Sequence, residues 1–263
     1  MYLIDTVPTL KSARRSATST GRQAACRSTS RPRRRADRRI GETIGYVRLV
    51  HATAARFVSR LGKLTAPIRM GEIFSLASEF VDMPLDEIDA LLGSAVHHQR
   101  VGALSIMGKQ FTRKSTTAQR RTELYELYLR RINHINTWDL VDLSGHHIVG
   151  GYLFDRSRTK LYELARSGDW WERRLAIFAT LHFVRKGEVD DTFAIAEILV
   201  NDEEAFVNKA VGGLLREAGK KDRAQLTAFL DRHAATAPRV TVRYAIEHFD
   251  PDLRQHYLGL RGA

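Results

Sequence analysis

The chain holds one cysteine, Cys26, among 263 residues. A single thiol builds no disulfide framework and supplies no cysteine-ligated zinc or iron–sulfur centre. No run of about 18 apolar residues occurs, so no stretch reads as a membrane-spanning helix. Strict apolar–polar alternation, the mark of a half-buried strand, is nearly absent. Hydrophobic residues make up 43% and charged residues 27%, ordinary values that exclude a collagen-like or wholly disordered chain. A lone cysteine suits a reducing compartment, so a cytoplasmic location is expected.

What the chain has in excess is positive charge, +12 net. Residues 1–40 hold eleven Lys or Arg against Asp5 and Asp37, leaving 31 basic and 28 acidic residues for positions 41–263. The body is therefore close to neutral, and any polyanion it binds must meet a localised face. Residues 1–40, with Arg31, Arg33, Arg34, Arg35, Arg38 and Arg39 around Pro32, offer little apolar surface and read as a disordered basic tail. A targeting segment or an upstream extension fits the same composition. Residues 41–65 read as a linker or a basic amphipathic helix through Ile44, Val47, Val50, Ala54, Phe57 and Leu61.

From about Met70 onward apolar residues recur at three and four. Pro84, followed by Asp86, Glu87 and Asp89, opens one helix, since proline suits a helix start and carboxylates suit its positive end. Leu124, Leu127, Tyr128, Ile132 and Ile135 form a stripe on another. Asp202, Glu203 and Glu204 open a helix through Phe206, Val207, Ala210, Val211, Leu214 and Leu215 that ends at Gly219, and Pro238 precedes a last one. Paired helices starting near 83, 119, 158, 190 and 222 have the period of HEAT-like repeats. The expectation is an all-α solenoid of antiparallel helix pairs over 66–263; a compact non-repeating helical domain is the alternative.

The segment Asn136-Thr137-Trp138-Asp139-Leu140-Val141-Asp142 carries the most chemistry. At about 100° per residue, Trp138 and Asp142 lie about 40° apart on a helix, while Asp139 points elsewhere. Farther along stand Trp170, Trp171, Arg173 and Arg174. An aromatic face, a carboxylate and guanidiniums suit a nucleic-acid backbone beside a developing cation. Equally, Trp138 could be core, Asp139 a cap, and Glu172 with Arg173 a surface pair. His97-His98 and His146-His147 are adjacent residues whose side chains diverge, so no metal site is expected. Gly150-Gly151 and Gly212-Gly213 follow no strand and read as close helix packing rather than phosphate loops.

The stretches Arg100-Val-Gly-Ala-Leu-Ser-Ile-Met107, Trp138-Asp-Leu-Val-Asp142, Trp171-Glu-Arg-Arg174, Asp191-Thr192 and Lys209-Ala-Val-Gly-Gly-Leu-Leu-Arg-Glu217 resemble the AlkD-type DNA alkylation-repair family, in order, from about 66 to 258. The resemblance implies a HEAT-like DNA glycosylase that releases purines alkylated at N3 or N7 from duplex DNA without flipping the lesion. It needs no cofactor or metal, acts as a monomer, and keeps to the nucleoid. By the same resemblance Trp138 packs against the lesion's deoxyribose. Asp142 stabilises the sugar cation and orients water, and Arg174, or Arg173 if the register shifts by one, holds a phosphate. The family's second tryptophan falls at Gly213, so Trp170 or Trp171 is the expected substitute for substrate packing. Residues 1–65 do not resemble the family's opening helices.

Basic residues expected to line a DNA-facing surface are Arg130, Arg131, Arg173, Arg174, Arg185, Lys186, Lys209, Arg216, Arg239 and Arg243, with Arg216–Glu217 and Arg243–Glu247 as candidate surface pairs. Two further readings stand beside the glycosylase: a catalytically silent binder of damaged or branched DNA, which Gly213 favours, and a protein-binding solenoid.

Overall fold

The structure, a computed structural model, describes residues 52–260, and every element in that span is helical. In chain order these are α1 (Ala54–Leu61), α2 (Met70–Glu79), α3 (Leu85–Leu92), α4 (His97–Thr112), α5 (Ala118–Arg130) and α6 (Trp138–Gly145). A π-helical segment, His146–Gly150, runs on into α7 (Gly151–Leu153). Then come α8 (Thr159–Ala165), α9 (Trp170–Ala179), α10 (Leu181–Lys186), α11 (Asp190–Leu199), α12 (Ala205–Gly219), α13 (Arg223–His233), α14 (Arg239–Ala245) and α15 (Pro251–Gly259). No described helix is long and apolar enough to cross a membrane.

The helix starts follow from local chemistry. Short polar side chains accept from the free N–H groups of the first turn at Thr117 (from Arg120 N, 3.1 Å), Asp169 (from Trp171 N, 2.8 Å) and Asp222 (from Gln225 N, 2.9 Å). Pro84 and Pro238 precede α3 and α14. Gly187, at φ 95°, ends α10 in the left-handed region that side chains avoid.

The pairs open with α3, α5, α8, α11 and α13, within two residues of the starts read from spacing. Their second members, α4, α6, α9, α12 and α14, pack on one another in that order and form one continuous layer. The result is an all-α, HEAT-like solenoid. Layer spacing is set by missing side chains: a Cβ at Gly150 would meet the Ala179 carbonyl oxygen, and one at Gly212 the Thr241 carbonyl oxygen. Gly150 and Gly212 are therefore close-packing positions.

The packed body starts earlier than the expected residue 66. Phe57 on α1 is fully buried, edge-on to Phe80 at 5.3 Å and over Gly102 of α4, so α1 belongs to the body rather than to a linker. The basic tail at 1–40, and the part of the expected amphipathic helix before residue 52, lie outside the described residues.

Candidate nucleic-acid site

Three successive second helices meet near their N-termini. Thr137, in extended backbone, leads into α6, and Trp138 at the first helical position is 36% exposed. Asp139 and Asp142 are both buried. Each carboxylate crosses to a different neighbour. Asp139 accepts from the Thr137 hydroxyl (2.6 Å) and lies 2.7 Å from His97 Nε2 at the start of α4. Asp142 faces α9: its Oδ1 accepts from Arg174 Nε (3.1 Å) and Nη2 (2.9 Å), and its Oδ2 from Nη2 (2.7 Å). Arg174 Nη1 donates to the Phe206 carbonyl at the start of α12. One guanidinium thus joins α6, α9 and α12.

Burial pushes the Asp142 carboxyl above the ordinary aspartate value, and Arg174 pulls against that rise. The geometry suits the anion, because both oxygens face N–H donors. A carboxylate has about four acceptor sites; three are filled here, two on Oδ1 and one on Oδ2.

Above this pair lies an aromatic rim. Trp170 and Trp171 open α9 with ring centroids 3.5 Å apart, and Phe206 lies 5.7 Å from Trp170 with its ring nearly parallel. Lys209 Nζ sits 5.4 Å from the Phe206 centroid. The 3.6-residue repeat puts Asp142 one turn below Trp138 and Arg174 one turn below Trp170. Phe206, expected in the apolar stripe of α12, is instead 41% exposed, on the first turn of that helix.

Several of the expected DNA ligands are paired with protein groups. Arg174 spends all three of its nitrogens on protein, as a buried guanidinium needs partners. Arg173 makes a two-point pair with Asp202 (2.6 and 3.1 Å) and reaches the Ser167 and Gly168 carbonyls. Arg130 and Arg131 share Asp89. Arg216 is buried between Glu217 and Glu247, so Glu247 pairs there and not with Arg243. Arg239 caps α15 by donating to the Tyr257, Leu258 and Leu260 carbonyls. Most of these acids lie about one repeat away in sequence, where residue spacing within a helix gives no sign of them. Lys209, Arg243, Arg185 and Lys186 are exposed and form no ion pair among the described residues.

The π-helical segment carries His146, buried with neither ring nitrogen hydrogen-bonded among the described residues, and His147, whose ring lies 3.8 Å away. Burial, with repulsion from Arg185 and His182, holds His146 well below the ordinary histidine value and His147 at about 4. Among the described residues no cluster of His, Cys, Asp and Glu is arranged to hold a metal ion.

The family model described as DNA alkylation repair enzyme matches residues 52–249, starting and ending before the 66 and 258 read from the motifs. A solved structure, described as a predicted DNA alkylation repair enzyme from Enterococcus faecalis, superposes with a TM-score of 0.56 at 17% identity, covering 75% of this chain and 95% of that one. At that identity the likeness is one of fold. No curated protein matches the chain.

Proposed function

Because the chain belongs to the DNA alkylation repair enzyme family, we propose that it hydrolyses the N-glycosidic bond of cationic N3- or N7-alkylated purines in duplex DNA. The observation that carries this reading is the buried Asp142 one turn beneath the exposed Trp138. An alkylated purine departs with its electron pair and leaves the sugar positively charged. A fixed carboxylate in a site of low dielectric stabilises that charge without reorganising. A neutral purine would have to leave as an anion, a much poorer leaving group, so charged lesions are selected.

Trp138 supplies the face against which the deoxyribose packs. Arg174 acts as a positioning residue: it holds Asp142 in place and ties it to the start of α12. The remaining acceptor site on Oδ2 is where water approaches the carboxylate. Gly213 leaves no aromatic on the body of α12, and the rim of Trp170, Trp171 and Phe206 takes over sugar or base packing. Lys209 and Arg243, with Arg185 and Lys186, contact phosphates, and the lesion stays in the stack.

A second reading is a family member that binds damaged DNA without excising the base. The closed Asp142–Arg174 pair favours it, since the cation that stabilises the carboxylate also offsets its charge. Duplex DNA carrying 7-methylguanine separates the two. Incubation followed by hot alkali cleaves the strand at the lesion if the glycosylase reading holds, and leaves it intact while binding is retained if the second does. Absence of salt-sensitive DNA binding contradicts both.

A further inference from the structure

The Asp142–Arg174 pair leaves one chemical need poorly served: something must take the proton of the attacking water. Asp142 is 5% exposed, and three of its acceptor sites are filled. Across α6 stands a second arrangement. His97 Nε2 is 2.7 Å from Asp139 Oδ2, and the other oxygen of Asp139 is fixed by the Thr137 hydroxyl at 2.6 Å. The Asp139 side chain is 10% exposed while that of His97 is 35% exposed. In the neutral imidazole, donation of the Nε2 proton to Asp139 leaves the other nitrogen, Nδ1, as an acceptor; Nδ1 of His97 makes no hydrogen bond among the described residues.

The dyad belongs to the same constellation as the proposed site. Trp138, Asp142 and Asp139 follow one another within about 100° of helix arc and about 6 Å of rise, with His97 of α4 and Arg174 of α9 reaching the two carboxylates from the two helices that pack against α6. The two carboxylates are close enough for Asp139 to help raise the Asp142 carboxyl. We propose that His97, oriented by Asp139, is the general base of the reaction. As the C1′–N bond breaks, its electron pair leaves with the neutral alkylpurine. Water oxygen bonds to C1′ and its proton passes to His97 Nδ1, from which it goes to solvent. Asp142 stabilises the charge on the sugar, and the imidazole accepts the proton.

This inference rests on the glycosylase reading, and its test separates the two. Single-turnover release of 7-methylguanine is measured for the full chain, His97→Ala and His97→Gln, alongside duplex affinity and thermal stability. General-base contributions are typically about 10²-fold or more. His97→Ala is expected to lose about that factor in rate at unchanged DNA affinity, and added imidazole restores part of it. His97→Gln, which keeps a donor for Asp139 but has no base, is expected to stay slow and unrescued with near-normal stability. Wild-type rates in both variants overturn the role of His97 and leave the glycosylase reading standing. A rate loss that tracks lowered stability or affinity, with no imidazole rescue, makes the dyad a latch between α4 and α6 and also overturns it. A wild-type protein that releases no base overturns both.

Discussion

At the scale of single residues, the proposed chemistry and part of the stability both hang on the Asp142–Arg174 pair. Removing one member of a buried ion pair leaves the other uncompensated, which typically costs about 3–5 kcal/mol. Arg174→Ala is therefore expected to lower stability by that order in chemical denaturation, with a smaller loss when Asp142 is replaced by Leu in the same chain. The pair also sets a pH limit. The proposed excision requires the anion, and burial raises the Asp142 carboxyl while Arg174 lowers it. Measured in His97→Gln, so that the proposed base does not contribute, the acidic fall in single-turnover rate should begin above the ordinary aspartate range, and adding Arg174→Gln should move it to still higher pH. A fall that moves to lower pH contradicts this assignment. Trp138 and Asp142 were legible as neighbours because four residues on a helix fix a shared face. The ties of Arg174 to Asp142 and to the Phe206 carbonyl were not, since both lie 32 residues away in adjacent repeats.

At the scale of elements, the π-helical turn is the most sensitive segment. The unfolded chain protonates His146 and His147 near their ordinary value of about 6.5, whereas the folded chain holds both lower. The unfolded state therefore binds more protons below that pH, and stability falls on acidification by up to about 1.4 kcal/mol per pH unit for each histidine. His146→Phe is expected to flatten the dependence of denaturation midpoint on pH between 7 and 5; an unchanged slope argues against the buried histidine as its source. Beside this turn, Gly150 faces the Ala179 carbonyl oxygen. Gly150→Ala should cost about 1–3 kcal/mol through overpacking, despite alanine's better helix propensity, as read from the same denaturation curves. Helix starts were largely legible in the sequence, because caps and prolines are local signals. The π segment has no such signature. The exposure of Phe206 escaped the same reading, because an apolar residue at helical spacing looks like core whichever side of the layer it faces.

At the scale of the molecule, the repeat architecture turns long-range polar contacts into inter-repeat braces, so net charge overstates the surface free to meet DNA. Lys209→Gln and Arg243→Gln should each reduce the steepness of the log affinity against log salt plot by about one. Arg173→Gln and Arg216→Gln, whose partners are Asp202 and Glu217 with Glu247, should instead lower stability and leave that slope nearly unchanged. Period and pairing of the helices were visible in the sequence because each repeat solves the same burial problem at similar length. Which cations face outward was not, because that depends on how neighbouring repeats meet. The most direct test of the account is the rate at which Asp142→Asn releases 7-methylguanine from duplex DNA, compared with the unaltered chain at equal DNA saturation. The substitution keeps the shape and removes the charge, so the account predicts loss of excision by about two orders of magnitude or more with affinity intact, a size typical of lost electrostatic stabilisation. Release at the unaltered rate would contradict it.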